Sequence, residues 1–274
     1  MAECNHDCEH CGVAENCESK IVKAKLNDRS KIKRIVGVLS GKGGVGKSYV
    51  TSVLATYLNR EGFKVGIMDA DITGPSIPKA FGIKEKAYGE NNLIYPLQSK
   101  GGIKIISANN LLEDDTDPIV WRGPLLGGLI KQFYEDVLWE ELDYLLIDMP
   151  PGTGDVALTI FQQLPVDDLI IVTSPQDLVS LIVTKAIKMA NMMNIKVLGV
   201  IENMSYLECP DCGKKINIFG ESHLEEFAKE MKFEILAKLP LVSGNTKLVD
   251  EGNIEQVSLK EIIPAVEALK KEGE

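Results

Sequence analysis

One short motif constrains the fold of this 274-residue chain more than any other feature. The stretch GKGGVGKS stands between an apolar run and a helical pattern, and it satisfies G-x-x-x-x-G-K-[ST], a phosphate-binding loop. Its glycines let the backbone curl so that successive N–H groups point at one anion, and the helix N-terminus adds partial positive charge. The motif therefore predicts a nucleotide site, and a glycine-rich turn without nucleotide is the weaker alternative. The residues expected to line the site are Gly41, Lys42, Gly43, Gly44, Val45, Gly46, Lys47, Ser48 and Tyr49.

Strand-like and helix-like patterns alternate along the rest of the chain. Several strand-like runs are continuous in Val, Ile and Leu, which is typical of parallel strands covered on both faces. The alternation predicts an α/β fold with a doubly wound, mainly parallel sheet flanked by helices. The predicted strands are 32–40, 64–71, 102–108, 144–150, 168–175, 196–203 and 233–241, and the predicted helices are about 46–61, 123–138, 155–164, 177–193, 222–231 and 258–271.

The same pattern divides the chain into a cysteine-bearing segment over 1–31 and one nucleotide-binding domain over 32–274. The segment is polar and aperiodic, so we expect it to order only when it binds metal. A net charge of −10 argues against nucleic acid or an anionic membrane as a partner. No apolar run approaches the ~20 residues of a membrane span, and the N-terminus is unlike a signal peptide. A cytoplasmic protein is therefore expected.

Two lysines of the loop have different expected roles. Lys47 should contact the β- and γ-phosphates, and the hydroxyl of Ser48 should bind Mg²⁺. Lys42 is not required by the general motif, but it resembles the extra lysine of the variant loop GKGGxGK[ST], which reaches a nucleotide on the opposite protomer. It would stabilise transition-state charge as an arginine finger does, which predicts a homodimer. The alternative is a solvated surface lysine.

Three aspartates are placed to complete the nucleotide site. Asp69 and Asp71 lie at the end of the second predicted strand, and Asp148 ends the strand in YLLIDMPPGTGD. Ligands of open α/β sheets bind at the carboxyl ends of the strands. We expect Asp71 to orient the attacking water, Asp69 to lie near the metal, and Asp148 to hold Mg²⁺ through water. Any one of them could instead be a helix cap or turn residue.

The six cysteines fall into two groups, which suggests two sites rather than scattered core positions. Cys209 and Cys212 form a C-x-x-C pair, whereas zinc or an iron–sulfur cluster usually takes four protein ligands. The pair could be a redox couple, or half of a zinc site completed by His223 or by the N-terminal cysteines. Alternatively, two copies of the chain could meet across a two-fold axis and share one cluster. The second group is Cys4, Cys8, Cys11 and Cys17.

These motifs together resemble the Mrp/ApbC-type iron–sulfur cluster carrier ATPases, within the ParA/MinD and nitrogenase-iron-protein class. The resemblance spans about 32–250 and rests on VGVLSGKGGVGKS, IMDADITGPSIP, VWRGP, YLLIDMPPGTGD, GVIENMSY and CPDCG. It implies binding and slow hydrolysis of ATP, dimerisation, and a labile [4Fe–4S] cluster that is transferred to apo iron–sulfur proteins. It also implies that Asn203 recognises the adenine base. Arg122, in VWRGP, could contact the partner protomer or the nucleotide.

The N-terminal cysteines resemble those of a subgroup that carries an additional ferredoxin-like cluster. Cys8, Cys11 and Cys17 keep its C-x2-C-x5-C spacing. The gap between Cys4 and Cys8 is, however, much shorter than the gap between the first two cysteines of that pattern. Because two histidines are interleaved, a mixed Cys/His zinc site competes with a cluster, and a segment without metal is the third possibility.

Two other functions compete with cluster transfer. One is a positioning ATPase of the ParA/MinD type, against which the absence of a basic patch and the presence of the cysteines both argue. The other is an ATP-driven electron donor like the nitrogenase iron protein. Such donors also share a cluster between protomers, but their ligand cysteines are far apart in sequence rather than in a C-x-x-C pair.

Overall fold

The computed structural model describes residues 23–71, 76–111, 123–175, 179–209 and 211–271. The strands are β1 Lys31–Ser40, β2 Val65–Asp69, β3 Tyr88–Glu90, β4 Leu93–Tyr95, β5 Leu97–Gln98, β6 Lys104–Ser107, β7 Glu141–Asp148, β8 Asp168–Thr173, β9 Lys196–Glu208, β10 Lys215–Ile216 and β11 Ile235–Pro240. The helices are α1 Lys47–Arg60, α2 Ile77–Ala80, α3 Gly123–Glu135, α4 Asp155–Gln163, α5 Val179–Met192, α6 Leu224–Met231, α7 Ser243–Asp250 and α8 Ile263–Lys271.

The main sheet confirms the predicted doubly wound α/β fold. Its strand order is β10-β9-β8-β1-β7-β2-β6-β5, and β11 also pairs with β9. The pairs among β1, β2, β6, β7, β8, β9 and β11 are parallel, whereas β5 and β10 join the sheet antiparallel. The chain winds outward from β1 in both directions, so helices cover both faces of the sheet.

Strand β1 shows why the predicted strands are apolar without alternation. Val36 and Val38 belong to the hydrophobic cluster on one face, where α1, α2 and α8 pack. Ile35 and Leu39 belong to the cluster on the other face, together with side chains of α3, α4 and α5. Since successive side chains of a strand point to opposite faces, a sheet buried on both sides needs apolar residues at every position.

Several elements differ from the sequence prediction. The predicted helix 258–271 is instead a 3₁₀ turn, Lys260–Ile262, followed by α8, because Pro264 is tolerated only in the first turn of a helix. Strand β9 extends five residues beyond the predicted end at 203, to Glu208. The short helix α7 and the hairpin of β3 and β4 were not predicted, since weak helix formers such as Gly244 give little local signal.

Residues 23–30, which the sequence pattern assigned to the N-terminal segment, pack against the domain. The ammonium of Lys23 donates to the carbonyl oxygens of Phe161 and Leu164 at the end of α4, both at 2.7 Å. The amide of Asn27 donates to Glu135 O and Val137 O at the end of α3. These contacts satisfy carbonyl groups that helix ends leave without intrahelical partners. Cys4, Cys8, Cys11 and Cys17 lie outside the described residues, as does Arg122.

Within the described ranges, none of the helices combines the length and the apolar character needed to cross a bilayer.

Candidate functional site: a phosphate loop and a pair of thiols

The loop between β1 and α1 has the backbone of a phosphate-binding loop. Gly44 and Gly46 have left-handed φ values of 80° and 78°, and Gly46 is the N-cap of α1. The bond from Val50 N to Gly46 O closes the first turn of α1. The N–H groups of Lys47, Ser48 and Tyr49 therefore have no intrahelical acceptors and can bind an anion.

Two of the loop glycines also allow close packing. A Cβ on Gly46 would collide with Asn203 Nδ2, and a Cβ on Gly41 would collide with Ile182 of α5. Asn203 is buried and its amide donates to Val45 O at 2.9 Å. The structure thus brings Asn203 against the loop itself, while its adenine contact stays a prediction.

Lys47 lies at the centre of a buried acidic group. Its ammonium is 2.9 Å from Asp148 Oδ2 and 3.4 Å from Asp71 Oδ2, and its side chain is 5% exposed. The hydroxyl of Ser48 donates to the same Asp148 oxygen at 2.6 Å. The predicted lysine, serine and two of the predicted aspartates therefore meet at the carboxyl edge of the sheet.

Asp69 is the third predicted aspartate of this group. Strands β2 and β7 pair so that Asp69 is the register partner of Asp148, and Ser107 ends β6 on the other side. Burial, together with the neighbouring Asp148 charge, raises the pKa of Asp69 well above its usual value. The positive charge of Lys47 and the hydrogen bond from the Ser107 hydroxyl partly offset this rise in the pKa of Asp69.

Two hydroxyl groups of this site were missed by sequence reasoning. Thr51 Oγ1 donates to Asp148 Oδ1 at 2.9 Å, and Ser107 Oγ donates to Asp69 Oδ2 at 3.1 Å. Both had a positional signal. Thr51 is three residues after Ser48 on one helix face, and Ser107 ends a parallel strand at the same edge.

The oxygen donors at this edge fit a magnesium ion. Mg²⁺ is usually held by one or two carboxylates and by substrate phosphates, with water completing the shell. Ser48 and Asp148, already in contact with each other, are donors of that kind. Within the described residues there is no cluster of three or more His, Cys, Asp or Glu side chains that could bind a metal by themselves. The donor set therefore fits an ion shared with a nucleotide.

Lys42 and Tyr49 occupy different positions around the loop. Ser40 Oγ donates to Lys42 O, and within the described part of the chain the Lys42 ammonium makes no ion pair. Its contact with a nucleotide on the opposite protomer stays a prediction. Tyr49, by contrast, turns its hydroxyl to Asn245 of α7, which donates to it at 3.1 Å. Any contact of Tyr49 with a phosphate would be made by its backbone N–H.

Cys209 and Cys212 form a tight turn directly after β9. Cys209 N donates to Lys214 O and Gly213 N donates to Cys209 O, both at 2.9 Å, with Gly213 at φ 69°. The backbone N–H groups of Asp211 and Cys212, and then the Cys212 thiol, lower the pKa of the Cys209 thiol. Both thiols are free, Cys209 partly exposed and Cys212 exposed.

This turn bears on two of the alternatives from the sequence. No helix begins at Cys209 to favour its thiolate, as in many redox pairs, but the backbone N–H groups of the turn favour the thiolate instead. The described residues give no support to a zinc site completed by His223, because Cys209, Cys212 and His223 do not come together as a metal-binding group there. His223 Nδ1 instead lies 3.6 Å from Glu226 Oε2.

Comparison with known proteins agrees with this geometry. Residues 31–271 match the ParA family model described as NUBPL iron-transfer P-loop NTPase. The chain belongs to this family. The NUBPL/ParA match covers the whole sheet and both the phosphate loop and the thiol pair. The resemblance drawn from the motifs is thereby confirmed.

Curated relatives of this NUBPL/ParA chain are named iron–sulfur cluster carrier proteins. One from Clostridium perfringens is 46% identical over 266 residues, which is 91% of this chain and 93% of the relative. Another, from Methanocaldococcus jannaschii, is 48% identical over 260 residues, 92% and 90% of the two chains.

Solved structures of similar proteins support the fold. A nucleotide-binding protein from Archaeoglobus fulgidus in complex with ADP has a TM-score of 0.74 and 44% identity, covering 82% of this chain and 88% of its own. The cell division ATPase MinD of Pyrococcus furiosus has a TM-score of 0.64 at 22% identity, covering 87% and 99%. The latter likeness shows the fold alone.

Proposed function

We propose that this protein is an ATP-dependent scaffold and carrier that holds a labile [4Fe–4S] cluster between two copies of the chain and transfers it to apo iron–sulfur proteins. The observation that supports this most is the turn at Cys209 and Cys212, which presents two free thiols at the end of β9, the strand whose Asn203 contacts the phosphate loop. The names of the curated relatives point the same way.

The nucleotide half of the proposal assigns each residue of the buried group a role. The Lys47 ammonium contacts the β- and γ-phosphates in place of its carboxylate partners, and Ser48 and Asp148 hold Mg²⁺, which neutralises phosphate charge. Asp71, which lies 3.4 Å from the Lys47 ammonium, orients the attacking water once Lys47 turns to phosphate. Asp69 supports this edge through Ser107. Hydrolysis is slow and acts as a switch.

The thiol half of the proposal requires a second copy. One chain offers two thiolates at the turn, and a [4Fe–4S] cluster takes four. In a two-fold dimer each residue near the axis meets its own counterpart, so Cys209 and Cys212 of two copies complete the set. Lys42, which makes no ion pair among the described residues, acts on the partner's nucleotide. We expect this assembly in the cytoplasm, where thiols stay reduced.

Cys4, Cys8, Cys11 and Cys17 are proposed to hold a second cluster. Because they lie outside the described residues, this part rests on the sequence alone. Deletion of residues 1–22 removes all four cysteines and keeps the contacts of Lys23 with α4. The deletion therefore separates the two groups of cysteines without removing the described part of the domain.

Anaerobic reconstitution with iron and sulfide tests the proposal. We expect a [4Fe–4S] absorption and Mössbauer signature in the chain that begins at Lys23, and its loss when Cys209 and Cys212 are both replaced by Ala. ATP binding should persist in that double variant. A full iron load in the double variant would refute the assignment of the ligands.

The same preparation separates the two rival functions. An electron donor would cycle through one-electron reduction coupled to ATP without losing its cluster. A positioning ATPase would show no iron signature in either chain. Release of the cluster to an apo acceptor, measured as recovery of the acceptor's activity, is the result that cluster transfer requires.

A further inference from the structure

Glu202 is a buried carboxyl group that neither half of the site uses. It is 1% exposed and lies in β9, next to Asn203. Its Oε1 accepts a hydrogen bond from Ser205 Oγ at 2.6 Å, and its Oε2 accepts one from Ser222 Oγ. A carboxyl group removed from water is stable only when its oxygens are hydrogen-bonded, so the two serines fix it in place.

The residues after Glu202 touch the phosphate loop. Asn203 donates to Val45 O, and the Met204 methyl carbon is among the atoms nearest to a Cβ built on Gly46, at 3.5 Å. Consecutive residues of a regular strand would point to opposite faces. Met204 instead has a left-handed φ of 56°, which lets the side chains of both Asn203 and Met204 reach the loop.

This stretch of β9 is an irregular bulge. Lys238 of β11 is the register partner of Glu202, and Pro240 is that of Tyr206. Strand β11 therefore advances two residues while β9 advances four, and the extra residues include Met204. Bulges beside active sites re-aim side chains, and a bulky residue in the left-handed region is a strained conformation typical of switch segments.

Ser222 connects Glu202 to the segment that carries the thiols. We call residues 206–222 the knuckle segment: it begins at Tyr206, near the end of β9, includes the turn of Cys209 and Cys212, and ends at Ser222. The Ser222 hydroxyl also accepts a hydrogen bond from Leu224 N, at the start of α6. Glu202 thus ties the returning end of the knuckle segment to the strand from which it departs.

We propose that Glu202 is a positioning residue that couples the phosphate loop to the thiol pair. A shift of Val45 on nucleotide binding displaces Asn203 and the bulge. The hydrogen bonds from Ser205 and Ser222 to Glu202 carry that displacement to the two ends of the knuckle segment. Coupling of this kind needs a contiguous network between two sites, and the contacts from Val45 to Ser222 form one. The coupling rests on the nucleotide half of the proposed function and is independent of the cargo that the thiols carry.

Thiol alkylation of the full-length protein without iron tests the coupling. Iodoacetamide labelling with peptide-resolved mass spectrometry gives the rate at Cys209 and Cys212 separately, with and without Mg·ATP. In the native chain we expect ATP to change the rate at Cys209 by about fivefold or more, the low end of ordinary coupling between sites. In Glu202→Gln and in Ser222→Ala the change should fall below about twofold, with ATP affinity unchanged. The unfolding midpoint of Ser222→Ala should fall somewhat, because a buried carboxylate oxygen loses its donor, and labelling is done at a temperature where the chain is still folded.

Two controls separate coupling from a structural role. Ser222→Thr keeps the hydroxyl and should keep the native response. Ser99→Ala removes another serine–glutamate hydrogen bond, from Ser99 Oγ to Glu255 Oε1 at 2.8 Å, near the opposite edge of the sheet. This variant should also keep the native response. If Glu202→Gln does not fold, the labelling response of Ser222→Ala decides whether Glu202 couples the two sites.

An unchanged response in Ser222→Ala, or no response in the native chain, would overturn the coupling role of Glu202. Because this assay needs no iron, it can succeed where reconstitution of a cluster fails, and the reverse also holds. The two proposals are therefore tested independently.

Discussion

Lys47 and Asp148 form a direct ion pair, with Nζ 2.9 Å from Oδ2 and both side chains buried. The pair joins the first residue of α1 to the last residue of β7, so it fixes the loop against the carboxyl edge of the sheet. A phosphate group would compete with Asp148 for the same ammonium. Breaking a buried pair is costly unless a new partner compensates. We therefore expect Lys47 to leave Asp148 only when a nucleotide phosphate is present to replace it.

Replacing Lys47 by Ala should weaken ATP binding. The variant loses charge-assisted hydrogen bonds to phosphate worth about 1.5–3 kcal/mol, or about 10- to 100-fold in affinity. It also leaves Asp148 without its cation, so the unfolding midpoint should fall. Calorimetric titration and thermal unfolding measure the two effects. Lys42→Ala is the control, and equal loss of affinity in both variants would contradict the separate roles of the two lysines.

Mixing two inactive variants tests whether Lys42 acts across the dimer. Lys42→Ala and Asp71→Asn should each bind ATP but hydrolyse it slowly. In a mixed dimer, the site with an intact Asp71 receives Lys42 from its partner and becomes active. Random exchange makes half of the dimers mixed, with one working site each, so about a quarter of the native rate should return. A mixture no faster than its components would show that Lys42 acts within its own protomer.

Gly46→Ala and Gly44→Ala form a matched pair in the loop. Both replace a glycine at nearly the same left-handed φ, which costs a non-glycine residue about 1–2 kcal/mol. Only at Gly46 does the new methyl group collide with Asn203, whereas at Gly44 no atom of the described residues, its chain neighbours aside, lies within 4 Å. Chemical unfolding without added nucleotide should therefore show a larger loss of stability for Gly46→Ala. Equal losses would argue against the close packing of Asn203 on the loop.

The alkylation rate of Cys209 should depend on pH in a predictable direction. Since Asp211 N–H and Cys212 N–H lower the pKa of the Cys209 thiol, its reactive thiolate persists to lower pH than in an unfolded chain. The rate should rise with pH around a midpoint below that of the same peptide labelled in denaturant. A native midpoint at or above the denatured one would contradict the turn geometry.

The phosphate site was predictable because its parts carry local signals. The glycine loop, Lys47 and the aspartates at strand ends each follow from spacing and from the parallel sheet. Glu202 and the bulge at Met204 were not predictable, because a methionine in the left-handed region runs against its own preference and depends on β11 and the loop. Packing of Lys23 and Asn27 on helix ends likewise depends on tertiary contacts.

Iron content and mass of the reconstituted dimer test the central claim most directly. The chain that begins at Lys23 keeps only two cysteines, Cys209 and Cys212. It is loaded anaerobically and measured by native mass spectrometry and by iron and sulfide assays. Without added nucleotide, a cluster shared between two copies predicts a dimer with about four iron and four sulfide ions per two chains, and this dimer should separate when the cluster is removed or both cysteines are replaced. A monomer that carries a complete cluster, or an unchanged iron load without those cysteines, would contradict it.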